Sequence, residues 1–118
     1  MNIRKEVAAA TAVVNYDLIS GEVNARLPQS RILDEVALVG SAAAGDTVVE
    51  VMVGNKSVGM FENTSTGTAI DQAKDIKALR EYVGRNTQIQ VMVRDAPATN
   101  PVVIYLGFSP AKSSGSLS

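Results

Sequence analysis

The chain contains no cysteine, no histidine and no tryptophan, and its aromatics are three Tyr and two Phe among 118 residues. Without cysteine there is no disulfide framework and no thiolate metal site. Without histidine the usual general base near neutral pH and the commonest metal ligand are both missing. With so few aromatics, a hydrophobic share of 46% must build its core from Val, Ile, Leu, Ala and Met. Charge of one sign is lacking too: 11 Lys+Arg against 12 Asp+Glu give a formal net charge of −1. A dedicated nucleic-acid binder carries a strong basic excess, so nucleic acid is not an expected partner. Near-neutrality leaves little repulsion between copies and so tolerates self-association. No apolar run approaches the ~18 residues of a membrane-spanning helix, and no membrane span is expected. A chain of this length is expected to form one domain that needs no staples.

What is present is organised around Gly45–Asn63, GDTVVEVMVGNKSVGMFEN. Two valine-rich runs flank the polar break Gly54-Asn55-Lys56-Ser57, and period-2 alternation around such a break signals a β-hairpin. A turn at Asn55-Lys56 predicts that Val53 pairs with Val58 and Val51 with Met60 on a core face. The other face then carries Met52 opposite Gly59 and Glu50 opposite Phe61, mixing a charge with large apolar groups. A one-residue slip would exchange the faces and send Phe61 into the core.

The N-terminal residues 1–30 are expected to form an arm or helix packing on the domain. Ile3, Val7, Ala10 and Val14 fall at helical spacing, and the alanines favour a helix. Thr11, Val13 and Val14 favour an extended arm by their β-branching. The same stretch, MNIRKEVAAATAVV, sets charges ahead of small apolar residues, but its apolar part is short and no cleavage site follows, so no secretory leader is expected.

The sandwich is expected to occupy residues 31–108. RILDEVALVG, from Arg31, reads as a strand apolar on both sides in its second half, followed by the small-residue connection 40–45. After a polar loop, Ala69–Val83 predicts the one short helix: Thr68 or Asp71 as cap, an apolar stripe of Ile76, Leu79 and Val83, and Gly84 after its end. TQIQVMVR alternates cleanly, with Ile89, Val91 and Val93 inward and Met92 outward. Val102–Phe108 is a continuous apolar strand, and Ser109–Ser118 a flexible Ser-rich tail. At least five strands with one helical insertion, joined by hairpins and one excursion, predict a mainly β fold, an antiparallel Greek-key or jelly-roll sandwich.

Motifs for chemistry are absent or have plainer readings. No Gly-rich loop ends in Gly-Lys-Ser/Thr, and nothing marks a Ser–Lys dyad, so no enzyme activity and no cofactor are expected. Asp71 and Asp75 sit four apart with Lys74 and Lys77 among them, which reads as a solvated helix face and not as a cation site. Lys74, Lys77, Arg80 and Arg85, interspersed with acids, are expected to form a solvated or salt-bridged helix face and not a genome contact. Asn55-Lys56-Ser57 and Asn63-Thr64-Ser65 fit the glycosylation pattern, but both stand where turns call for Asn and Ser. Met52, Phe61 and Met92 remain, on strand faces that are otherwise polar. Adjoining, they would form a patch, and these three are the candidate subunit-contact residues.

The segments DEVALVGSAAAG, DTVVEVMVGNKSVGMF, NTSTGTAIDQAKDIKALREYVG, TQIQVMVR and NPVVIYLGFSP follow one another in a layout that resembles the small single jelly-roll structural proteins of virus particles, the capsid and decoration proteins. The resemblance spans Asp34–Phe108. It implies a non-enzymatic structural subunit of the virion, assembling with copies of itself and with other shell proteins, its arm and tail lacing neighbours together. The chain departs from that group in its scarce aromatics and its lack of a basic arm, which favours an outer contact role over genome packaging. Sandwich folds host other tasks, so the alternative is a cytoplasmic or secreted module binding carbohydrate or peptide. Such a module usually shows exposed aromatics, and this chain has few.

Overall fold

The computed structural model describes residues 2–67, 69–71, 73–97 and 100–111. They form seven strands: β1 (Ile3–Val7), β2 (Arg31–Gly40), β3 (Val48–Val53), β4 (Lys56–Glu62), β5 (Ile76–Val83), β6 (Ile89–Asp95) and β7 (Val102–Pro110). These make two antiparallel sheets, one in the order β1-β7-β2-β5 and one in the order β4-β3-β6. The protein is mainly β, as the alternation in the sequence requires.

The inner faces follow the period-2 rule. Val49, Val51 and Val53 of β3 pair with Val93, Val91 and Ile89 of β6, and all six are buried. From the larger sheet Ile3, Leu33, Val36, Leu38, Val102, Ile104 and Leu106 complete a core of branched aliphatics. Ala37, Val39 and Val103 are also buried but lie outside that cluster. They belong to the far side of β2 and β7, which explains why these two strands read as apolar on both faces. The segment after β4 continues along the β2 edge beyond β5: Thr64 N–H donates to Leu38 C=O at 3.0 Å and Gly40 N–H to Ser65 C=O at 2.7 Å, and Ile70 lines a surface pocket with Ile76, Tyr105 and Arg4.

Of the helix and the extended arm expected for the N-terminal residues, the structure has an extended segment and no helix over Ile3–Val7. Ile3–Val7 is an edge strand on β7, with Ile3 opposite Leu106 and Val7 opposite Val102. A spacing of four residues suits one helix face and also one strand face, because four is a multiple of two. The chain then crosses to the smaller sheet, where Asn15 and Leu18 N–H donate to Val93 and Val91 C=O, and Val93 N–H returns a bond to Tyr16 C=O. Asp17 bridges Met92, so residues 15–18 act as a short eighth segment beside β6. Ala12, Leu18, Ile19 and Ala25 are fully buried, so the sandwich begins well before Arg31.

The helix expected over Ala69–Val83 is likewise replaced. Ile76–Val83 is strand β5, paired along β2 with Val83 opposite Arg31 and Ile76 opposite Ala37. Leu79 and Val83, again four apart, face the core, while Ile76 faces the opposite side. The carbonyl and amide groups of the β2 edge outweigh a helix propensity that Ile76, Tyr82 and Val83 do little to support. Thr68, one of the two expected caps, lies outside the described residues, as do residues 112–118 of the expected tail. Its first residues, Ser109 and Pro110, belong to β7.

The open sides are tied by polar links: Lys56 of edge strand β4 meets Glu81 of edge strand β5 at 2.8 Å, and Lys5 Nζ donates to Ser20 C=O at 2.9 Å. At Gly40 (φ +112°) the backbone passes so close that a Cβ would lie 2.3 Å from Pro101 C=O.

Candidate contact surface

The β3–β4 hairpin turns one residue earlier than the sequence suggests. Gly54, at φ +62°, takes the first corner, the position a type II′ turn gives to glycine. Val53 therefore pairs with Lys56 and Met52 with Ser57. An irregularity at Val58 then shifts the ladder, so that Val51 meets Gly59, Glu50 meets Met60 and Val49 meets Phe61. The expected pairs Val51–Met60 and Glu50–Phe61 are each displaced by one residue. Phe61 consequently stands beside buried Val49 and packs against the core. Its expected place on the outer face is corrected, and Met60 takes that place instead.

The outer face of β4-β3-β6 brings two of the three candidates together. Glu50 is opposite Met92 on one side and Met60 on the other, and Met52 follows two residues along β3. Met52 and Met92 are half-buried, while Met60 is 57% exposed. Directly opposed antiparallel residues hold their Cβ atoms about 5 Å apart, so Met92, Glu50 and Met60 form a continuous row. Met60 was missed in the sequence because its assignment depended on a register that a single extra residue reverses.

Glu50 is fixed within the row. Arg94 donates to its Oε1 from Nε at 3.0 Å and from Nη2 at 2.9 Å, while Nη1 donates to Asn15 Oδ1 at 2.9 Å. The Ser57 hydroxyl, then Arg94, hold the Glu50 carboxyl below the usual carboxylate range. The charge is thus neutralised in place, leaving the methionines as the groups to which an approaching surface adapts. Thioethers suit that task because Met is unbranched and polarizable and repacks easily. Val13 and Val14, both about half exposed, immediately precede Asn15.

The two acidic and asparagine motifs have structural explanations. Asp75 is buried, not solvated: Thr64 Oγ1 donates to its Oδ1 at 2.6 Å and Asp71 N–H to its Oδ2 at 2.8 Å. Burial alone would raise its pKa, but the Thr64, Asp71 and Ser65 hydrogen bonds and the Lys74 charge bring it below the ordinary value. No group of three or more potential metal-ligating acids occurs among the described residues. Asn63 is also buried, with its side chain bonded inside the protein, whereas Asn55 is exposed at the hairpin tip.

Comparison of the chain with protein-family models, with curated proteins and with solved structures found no match in any of the three. The functional reading therefore rests on topology and surface chemistry. Among the described residues, no helix is long and apolar enough to cross a membrane.

Proposed function

We propose that the chain is a non-enzymatic jelly-roll subunit of a virion, a capsid or decoration protein, and that it assembles with copies of itself through the Met52, Met60 and Met92 face. The observation that carries this reading is the nesting of strand pairs. Taken in chain order, the eight paired extended segments among the described residues are β1, residues 15–18, β2, β3, β4, β5, β6 and β7. The first pairs with the last, the second with the seventh, the third with the sixth and the fourth with the fifth. The pairs β2–β7 and β3–β6 close the roll. Nesting of this kind supports the reading as a double Greek-key jelly roll, an architecture that recurs in capsid and lectin domains.

Three features support a second copy as the occupant of the face. Its central charge is already paired, so apposition strands no carboxylate. A net charge of −1 offers little repulsion between identical chains. Each half-exposed Met buried at a contact contributes on the order of 1 kcal/mol, a modest increment that gains weight when repeated through a shell. Other shell proteins would meet the remaining surface.

A second reading, a monomeric module binding carbohydrate or peptide, has one observation in its favour: a cavity of ≈320 Å³ at one end of the sandwich, lined in part by Arg31 and Phe108. Sedimentation and electron microscopy of concentrated protein separate the two. Closed or extended assemblies are the expected result, and a monodisperse monomer that binds glycans would reverse the order.

A further inference from the structure

Arg31 opens β2 with its side chain at the inward parity of Leu33, opposite Val83 and Pro110. Only 2% of it is exposed. Its guanidinium carbon lies 4.3 Å from the centroid of the Phe108 ring. Nη1 and Nη2 are buried, and neither has a hydrogen-bond partner among the described residues. The ion pairs among those residues are Lys56–Glu81 and Arg94–Glu50, so no carboxylate among the described residues answers this charge. Burying a guanidinium without a counter-charge costs more than stacking on one phenyl ring returns. The sequence gives no hint of this, since Arg31 reads simply as the polar start of a strand.

The surroundings state what would satisfy it. Arg31 and Phe108 line a cavity of ≈320 Å³ together with Gln29, Ser30, Ser109 and Pro110. The Phe108 ring stands against the guanidinium carbon, and the two buried Nη groups reach a ligand in the cavity once the side chains that line it give way. The two unpartnered nitrogens form the terminal edge of the fork, the edge that meets a carboxylate through two parallel N–H···O bonds. Ser30 Oγ accepts from Tyr82 OH at 2.9 Å, so its own proton is free to be donated. Phe108 and Pro110 supply an apolar wall. One cation and an apolar wall match a singly charged acid better than a phosphate dianion. Burial also pulls the Arg31 pKa down, as it does for a cation held away from water and counter-charge.

We infer that this cavity binds a single carboxylate group carried on an apolar body. This inference does not depend on the assembly reading. The carboxylate belongs either to a free organic acid or to an acidic side chain of a second copy, and the two sources share the same chemistry at Arg31.

The test uses the full chain with sodium benzoate as the probe and benzyl alcohol and inorganic phosphate as controls. Benzoate at ten times its Kd is expected to raise Tm by roughly 4–8 °C, and benzyl alcohol to leave it unchanged. Arg31→Met removes the charge at similar length and is expected to keep or raise Tm without ligand, because it relieves an unpaired buried cation. It should bind benzoate at least tenfold more weakly. Arg31→Lys keeps the charge but loses the fork, and a tenfold loss is expected there also, which keeps the inference testable if the Met variant does not fold. Equal responses to benzoate and benzyl alcohol, tighter binding of phosphate than of benzoate, or undiminished benzoate affinity in Arg31→Lys would each overturn it. Sedimentation with and without benzoate then assigns the source: competition with self-association marks an acidic side chain of a second copy, and an unchanged assembly state marks a free acid.

Discussion

Asn63 and Thr47 bond to each other twice: Thr47 N–H donates to Asn63 Oδ1 at 2.9 Å, and Asn63 N–H donates to Thr47 C=O at 3.1 Å. Asn63 Nδ2 also donates to Gly40 C=O at 2.7 Å and Ala43 C=O at 2.8 Å. One buried carboxamide therefore holds the connection from β2 to β3 against the end of β4. Asn63→Ala would leave Thr47 N–H and the Gly40 and Ala43 carbonyls without this partner in a largely buried site. The expected loss is roughly 3–5 kcal/mol, from about 1–3 kcal/mol per buried unsatisfied group with partial rescue by water. Urea denaturation measures it directly.

Acid stability follows from Asp75. Its carboxyl is held below the ordinary Asp value in the folded chain. As pH falls from about 4, the unfolded state takes up the proton first. The stabilisation is therefore complete above that pH and is lost as pH drops through the lower folded pKa. Asp75→Asn keeps the shape, lowers stability at neutral pH and removes this part of the acid slope. Urea midpoints over the acid range check the sign; an unchanged slope in the variant would show that other carboxylates carry it.

Phe61 tests the hairpin register. Opposite Val49 and against the core, Phe61→Ser should destabilise the monomer by about 2–4 kcal/mol. Met60→Ser, on the exposed side of the same strand, should change stability by less than about 0.5 kcal/mol. Chemical denaturation of the two variants gives the comparison. Equal effects would contradict the register.

These substitutions also mark where the sequence is legible. Strands β2, β3, β6 and β7 show themselves through strict alternation or unbroken apolar runs, and with them the two-sheet architecture. Strands β1 and β5 do not, because Ile3/Val7 and Leu79/Val83 are spaced by four, which satisfies helix and strand alike. Their state is decided by the exposed edges of β7 and β2, partners distant in sequence. The contact face is half legible: Met52 and Met92 follow from parity on strands whose inner faces are all aliphatic. Met60 and Phe61 change places because an extra residue at Val58 reverses parity beyond it, and nothing local in SVGM announces that irregularity. Arg31 is not legible at all, since its solitude depends on what six residues from two parts of the chain enclose.

The most direct test of the assembly claim is light scattering over a concentration series, comparing the natural chain with Met60→Lys combined with Met92→Lys. Both positions lie on the outer face beside Glu50, so the substitutions add charge to the proposed contact without touching the core. The natural chain is expected to gain mass with concentration, and the double variant to remain a folded monomer with an unchanged circular-dichroism spectrum. A natural chain that stays monomeric throughout, or a double variant that assembles as the natural chain does, would contradict the account.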